Sequence, residues 1–158
     1  MINIWFKKVS EPYGWMGNMA PYPIQYAGKT WRTSEALFQS LRYADPAIIE
    51  QIRQQKSPMG AKLVAKSSVN IVHRVIDAMS PQDLLNMEMC VLLKFQQHPD
   101  LAKLLKATDP HHIYEDATGR KKVNDLFWGA HRDLNNPDFL IQGQNTMGEI
   151  LMRVRAII

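Results

Sequence analysis

The chain has 158 residues, 46% of them hydrophobic, and a formal net charge of +4 with a pI near 9.2, which suits one globular domain, 1–158, with a real core. The small positive excess favours anionic over cationic ligands. The basic residues are spread along the chain, which argues against a dedicated DNA-binding protein. Cys90 is the one cysteine, so no internal disulfide can form, as suits a reducing cytosol; its apolar neighbours read as those of a buried structural thiol. With no secretory architecture at the start and no apolar run of membrane-spanning length, a cytoplasmic protein without a membrane partner is expected.

In chain order, residues 2–6 read as a short strand and 22–31 as strand–turn–strand around Ala27-Gly28. A helix should begin at Thr33 or Ser34, either of which can cap exposed amides. Asp45-Pro46, Ser57-Pro58 and Ser80-Pro81 mark three further helix starts, because proline at the first helical position loses no intrahelical bond. Val69 to Met79 is expected to be helical. From Pro81 to about Gln97, Leu84, Leu85, Met87, Glu88, Val91, Leu92 and Phe95 recur at helical spacing. A short helix follows Pro99. Residues 108–145 are rich in Asp, Asn, Gly, Pro and His, with one short strand expected at 112–115, and a segment of this kind is functional or mobile. Thr146 should cap a final helix with Ile150, Leu151, Val154 and Ile157 on its apolar side. The fold class is α+β, mostly helical.

Four groups of residues carry chemistry. Glu35, Phe38, Gln39 and Arg42 stand at i, i+3, i+4 and i+7, which puts a carboxylate, a ring, an amide and a guanidinium on one helix face. That face could line a cleft for a sugar phosphate; alternatively Glu35 simply complements the helix dipole. Asn124-Asp125 precedes Leu126-Phe127-Trp128-Gly129 in an expected turn. There Asp125 can act as acid, base or cation stabiliser and Trp128 can stack on a base, or the pair can plug and cap the loop. Gly143 to Gly148 feeds a helix N-terminus, an anion site through free amides, with capping by Asn145 or Thr146 as the ordinary reading. Lys62 and Lys66 read as solvated lysines. The histidines lack metal-ligand spacing, so no metal is expected.

The ordered series Tyr13–Asn18, Pro23-Ile24, Gly28-Lys29-Thr30-Trp31, Thr33-Ser34-Glu35, Phe38-Gln39, Ser57-Pro58-Met59, Lys94-Phe95, Leu104-Leu105 with Ala107-Thr108, Asn124-Asp125 with Trp128-Gly129, Gly143-Asn145-Gly148 and Leu151-Met152 with Val154-Arg155 resembles the NADAR, or YbiA-like, family across nearly the whole chain. The resemblance implies a YbiA-like single domain with small N-terminal β elements and long functional loops. It also implies hydrolysis of the bond between a base and ribose, without a cofactor. Relatives act on ribosylaminopyrimidine intermediates of riboflavin synthesis or remove ADP-ribose from modified guanine. The partner would therefore be a ribosylated or ADP-ribosylated nucleobase, free or within DNA, with no protein partner evident. By the same resemblance Glu35, Asp125 and Trp128 take active-site roles and are expected to converge on one cleft. Asn18, Trp31, Gln39, Arg42, Asn145 and Gly148 take substrate-binding and supporting ones.

Three positions depart from the family. Relatives often have histidine at Ala36 and lysine at Arg42, and a tryptophan of bacterial relatives falls at Met79. A mechanism proposed for guanine-deribosylating members captures opened ribose on a lysine as a Schiff base. Arginine cannot form one, which leaves direct hydrolysis or another amine, with Lys62 as the substitute. The alternative function is a non-catalytic module binding ADP-ribose or a related nucleotide.

Overall fold

The computed structural model describes residues 2–136 and 140–158. In chain order its elements are β1 (Asn3–Phe6), a 3-10 turn (Gly14–Met16), β2 (Ile24–Tyr26), β3 (Lys29–Trp31), α1 (Ser34–Ser40), α2 (Pro46–Arg53), α3 (Pro58–Ala65), α4 (Ser68–Ile71), α5 (Pro81–Gln97), α6 (Pro99–Lys106), β4 (His112–Glu115), α7 (Val123–Trp128), β5 (His131–Arg132), β6 (Leu140–Gln142) and α8 (Thr146–Ile157). The chain is mostly helical with small two-stranded sheets, in keeping with the expected class. It divides into two compact units, Asn18–His98 and Met1–Gly17 together with Pro99–Ile158. Among the described residues no helix is long and apolar enough to cross a membrane.

In the unit Asn18–His98, four of the helices start where their sequence signals lie. Thr33 accepts from the amide of Ala36, Asp45 from Ala47, Ser57 from Gly60 and Ser80 from Asp83. Each such cap is worth about 1 kcal/mol, and proline follows the last three in the first turn. Ile24, Leu37, Ile52, Met87, Cys90, Val91 and Phe95 are buried here. The burial of Cys90 pushes its thiol well above its ordinary range, as befits an inert structural thiol.

The expected helix over 69–79 is much shorter, because α4 ends at Ile71. The Asn70 side chain donates to Gln51 Oε1 at 3.1 Å and to the Val64 carbonyl at 3.0 Å. The amides of Val75 and Ile76 then go to the Arg42 carbonyl rather than to an intrahelical acceptor. A run rich in β-branched residues offers little helix propensity to resist this.

β2 and β3 form an antiparallel hairpin with Ile24 opposite Trp31. Its two turn residues, Ala27 and Gly28, have φ of 51° and 76°. Two positive φ values suit the right-handed strand twist, but alanine pays a steric penalty in that region. Ala27→Asn is expected to stabilise the chain by about 0.5 kcal/mol, read as a rise in the urea midpoint; a fall would mean that the turn prefers another conformation.

In the other unit, β1 pairs in parallel with β4, Asn3 opposite His112 and Phe6 opposite Glu115. Ile4, Phe6, Leu101, Leu105, Ile113, Ile150, Leu151 and Val154 are buried, whereas Ile157, expected on the apolar side of α8, is exposed. The segment 108–145 is more regular than its composition suggests, since it contains β4, α7, β5 and β6; residues 137–139 lie outside the described residues. Nor does Thr146 cap α8. The capping position is Asn145, in the left-handed region at φ 53°, and its side chain makes no cap bond.

Candidate functional site

The face read from the spacing of Glu35, Gln39 and Arg42 exists as a hydrogen-bonded series. Gln39 Nε2 donates to Glu35 Oε1 at 2.9 Å, and Arg42 Nη1 donates to Gln39 Oε1 at 3.3 Å. All three side chains are buried, with Glu35 7% exposed. At the start of α1 the Glu35 amide donates to the Asn18 carbonyl at 3.1 Å, and Ser34 Oγ donates to Asn18 Oδ1 at 2.8 Å. Asn18 Nδ2 contacts Met87 Sδ at 3.0 Å. Asn18 therefore ties the incoming chain to both α1 and α5.

Arg42 is committed elsewhere. Its Nε and Nη2 donate to the two carboxylate oxygens of Asp83 at 2.9 and 2.8 Å, and its guanidinium lies 4.6 Å from the centre of the Phe38 ring. Asp83 Oδ2 also accepts from the Met79 amide at 2.8 Å, which holds Met79 at φ 63°. Among the described residues no cation pairs with the Glu35 carboxylate. A buried carboxylate held by one amide is a costly arrangement. A residue serving only the helix dipole could stay in solvent, so burial favours a chemical role over the dipole role.

The sequence reading missed the facing side of α5. Asp83, Met87, Cys90 and Lys94 recur at helical spacing, and all four are buried. Leu85, expected on that helix's apolar stripe, is 61% exposed. The available signal was the placement of two charged residues in register with Met87 and Cys90. Lys94 lies near the rings of Tyr22 (5.4 Å) and Phe95 (5.6 Å), and burial pulls its amine down to about 7. The unfolded amine, near 10.5, then binds more protons than the folded one between about pH 7 and 10.5, so its contribution to stability rises with pH across that window. Lys94→Met is expected to stabilise the protein relative to the parent most at pH 6, with the difference shrinking towards pH 10. Paired urea titrations at those two pH values check this, and an equal difference at both would contradict it.

Trp31 and Lys62 belong to the same unit but not to this hydrogen-bonded series. Trp31, 3% exposed, lines a cleft of about 230 Å³ with Ser40 and Leu41, and Lys62 is half-buried on α3.

In the other unit, Asp125 and Trp128 lie on α7 rather than in a turn, at i and i+3 and so on one face. Asp125 is half-buried and Trp128 is 8% exposed, edge-on to Phe127 at 4.9 Å. Asn145 holds β4: its Nδ2 donates to the Ile113 carbonyl at 2.8 Å and its Oδ1 accepts from the Glu115 amide at 3.0 Å. Gly148 lies against the same Ile113 carbonyl and the Asn145 side chain, where a Cβ would collide with both. Both residues shape the backbone around β4.

The NADAR domain model matches residues 5–158. N-glycosidase YbiA of Escherichia coli is 32% identical over 152 residues, covering 95% of this chain and 84% of that protein. The N-glycosidase YbiA of Shigella boydii is 33% identical over 150 residues, with the same coverage. An N-glycosidase of Nostoc punctiforme is 29% identical over 157 residues, covering 98% of this chain and 91% of the relative. The NMR structure of the Escherichia coli protein YbiA superposes with a TM-score of 0.75 at 30% identity, covering 99% of this chain and 85% of that one. The chain belongs to the NADAR family.

Proposed function

We propose that this chain hydrolyses the bond between a nucleobase and ribose, with Glu35 as the carboxylate beside the sugar. An enzyme acting on N-glycosyl bonds follows from its family and its N-glycosidase relatives. The observation that carries the residue assignment is the buried Glu35 carboxylate, held at one oxygen by Gln39 at 2.9 Å and without a cation among the described residues. Breaking a base–ribose bond builds positive charge on the anomeric carbon and negative charge on the departing base. An unneutralised carboxylate preorganised beside the sugar stabilises that cation or activates water. Asp125 is the proposed second carboxylate, on the side of the base or the water, as in the general two-carboxylate solution for glycosides. Trp128 is the proposed aromatic wall. Gln39 fixes the Glu35 rotamer, and the Arg42–Asp83 pair fixes Gln39, so Arg42 is a positioning residue rather than a phosphate ligand.

The proposed substrates are a ribosylaminopyrimidine phosphate and ADP-ribosylated guanine, and kcat/KM for cleavage of the base–ribose bond in each, read as free pyrimidine from the first and ADP-ribose from the second, decides between them. Preference for the guanine in DNA over the free nucleoside would place the substrate in a polymer. Arg42 cannot serve as an imine-forming amine, so direct hydrolysis is the expected course. Borohydride added during turnover should then fix no sugar to the protein. An adduct lost in Lys62→Ala would assign the amine to Lys62. An adduct that survives would move the role to another lysine, first to Lys94, whose burial leaves a large neutral fraction at pH 7. Stoichiometric binding of ADP-ribose with no base–ribose bond cleaved in either substrate would favour the binding-module reading.

A further inference from the structure

Basic residues occur along the whole chain, but their excess over acidic ones does not. Residues 54–76 hold Lys56, Lys62, Lys66 and Arg74 and no aspartate or glutamate. Outside this stretch fifteen basic residues face fifteen acidic ones, so the whole net charge of +4 resides here. Lys56, Lys62 and Arg74 make no ion pair among the described residues.

The same stretch exposes apolar surface. Of the fifteen large hydrophobic side chains exposed among the described residues, Met59, Leu63, Val69, Ile71, Val72 and Val75 lie here, with Leu63 63% and both Val69 and Val72 75% exposed. Met59, Lys62, Leu63 and Lys66 stand at i, i+3, i+4 and i+7 along α3 and share one face, opposite the buried Ala61 and Ala65. Only Lys66 and Ser67 separate α3 from α4, and Asn70 fastens the inner side of α4 to the Val64 carbonyl at 3.0 Å. Val69 and Val72, on the remaining sides of that turn, stay in solvent at the end of α3.

The composition of this face selects its partner. Aliphatic side chains beside lysines suit the boundary between the headgroups and acyl chains of an anionic bilayer, where the apolar groups enter and the ammonium groups reach the phosphates. Nucleic acid fits less well, because residues 54–76 contain no Phe, Tyr or Trp on which a base could stack. A protein partner also fits less well, since protein interfaces are poor in lysine and rich in aromatic residues. Contact of this kind needs no spanning segment, so the lack of a long apolar run does not bear on it.

We propose that α3, α4 and the turn after them form a peripheral docking face for an anionic phospholipid surface. Leu63, Val69 and Val72 enter the bilayer boundary, and Lys56, Lys62, Lys66 and Arg74 face its phosphates. The proposal does not rest on the glycosidase reading, because neither Glu35 nor the groups that hold it belong to this face.

The test is flotation of the full chain with vesicles. Binding to equal parts phosphatidylglycerol and phosphatidylcholine is expected to be half-maximal at about 1 mM lipid, each of the four cations contributing about fivefold. Phosphatidylcholine alone should not float the protein. Raising NaCl from about 0.1 M to about 1 M should release it, as the screening length shrinks from roughly 10 Å to roughly 3 Å. Lys56→Gln with Lys62→Gln should weaken binding about 25-fold. Lys103→Gln with Lys106→Gln, which removes the same charge from α6, should leave it within about twofold. Leu63→Gln with Val72→Gln, which keeps the charge, should weaken it about tenfold; should that variant not fold, Val69→Gln is read instead. No flotation at about 10 mM anionic lipid, equal flotation with phosphatidylcholine alone, equal loss in the two lysine pairs, or full binding by the apolar variant would overturn the docking face. Displacement from the vesicles by oligothymidylate at equal phosphate concentration would give the face to nucleic acid. A dimer in sedimentation velocity that dissociates in the Leu63→Gln, Val72→Gln chain would give it to a second copy. Either result would overturn the lipid assignment.

Discussion

Glu35→Gln is expected to lower kcat for base release by roughly 10²–10³-fold, the loss typical when one preorganised electrostatic contact to a developing charge is removed. The amide keeps the size of the side chain, and its oxygen can still accept from Gln39 Nε2, which now donates to Glu35 at 2.9 Å. What disappears is the negative charge. The thermal midpoint is expected to move by no more than about 3 °C, because the substitution removes a buried charge without opening a cavity. KM should change far less than kcat, since the cation forms only as the bond breaks. An unchanged kcat would return Glu35 to a purely structural role. A collapse of the thermal midpoint would show that its charge holds α1 together.

Asp83→Ala is expected to produce the largest loss of stability of any single change considered, about 3–5 kcal/mol, or roughly 10 °C. The truncation strips both acceptors from the Arg42 guanidinium, leaves its charge uncompensated in the interior and orphans the Met79 amide. Both partners of this pair are buried, so solvent cannot take over. Replacing the pair together, as in Arg42→Met with Asp83→Leu, should recover much of that loss, because two apolar side chains carry no desolvation penalty. Activity should not recover with it, since Gln39 would still lack its Arg42 donor. Chemical denaturation of the three variants checks the ordering; an Asp83→Ala cost below about 1 kcal/mol would mean that the pair behaves like a surface contact.

The parts of the fold legible in the sequence are those governed by local chemistry. The cap-and-proline pairs at Asp45, Ser57 and Ser80, and the positive-φ turn at Ala27-Gly28, act within a few residues of themselves. The spacing of Glu35, Gln39 and Arg42 needs only the helical period to place them on one face. The parts that were not legible depend on distant partners. The Lys122 capping position of α7 supplies no side-chain bond, so Asp125 and Trp128 carried no helix signal. Asn145 looks like a cap, but its side chain bonds to Ile113 and Glu115, some thirty residues earlier. The burial of Asp83 follows from Arg42, forty-one positions away, and no periodicity on α5 could identify that partner. The short α4 likewise reflects Asn70 reaching Gln51 and Val64.

The departures at Ala36 and Arg42 bear on mechanism in different ways. Ala36 is buried, 3% exposed, and donates its amide to the Thr33 cap, so its side chain fills core space. Arg42 occupies its site with both arms of a guanidinium, a geometry that a lysine cannot reproduce. A relative with lysine at this position would leave Asp83 with a single-point partner and an amine available for chemistry. In this chain that option is closed, which is why direct hydrolysis is the expected route.

The most direct measurement counts moles of ADP-ribose released per mole of protein from ADP-ribosylated guanine DNA, and moles of free pyrimidine released from a ribosylaminopyrimidine phosphate, followed by chromatography over time. Turnover of at least one of them well beyond one equivalent, slowed roughly 10²–10³-fold in Glu35→Gln with an intact fold, is the expected result. Saturable binding of both compounds with neither ADP-ribose nor free pyrimidine released by the parent protein would contradict it.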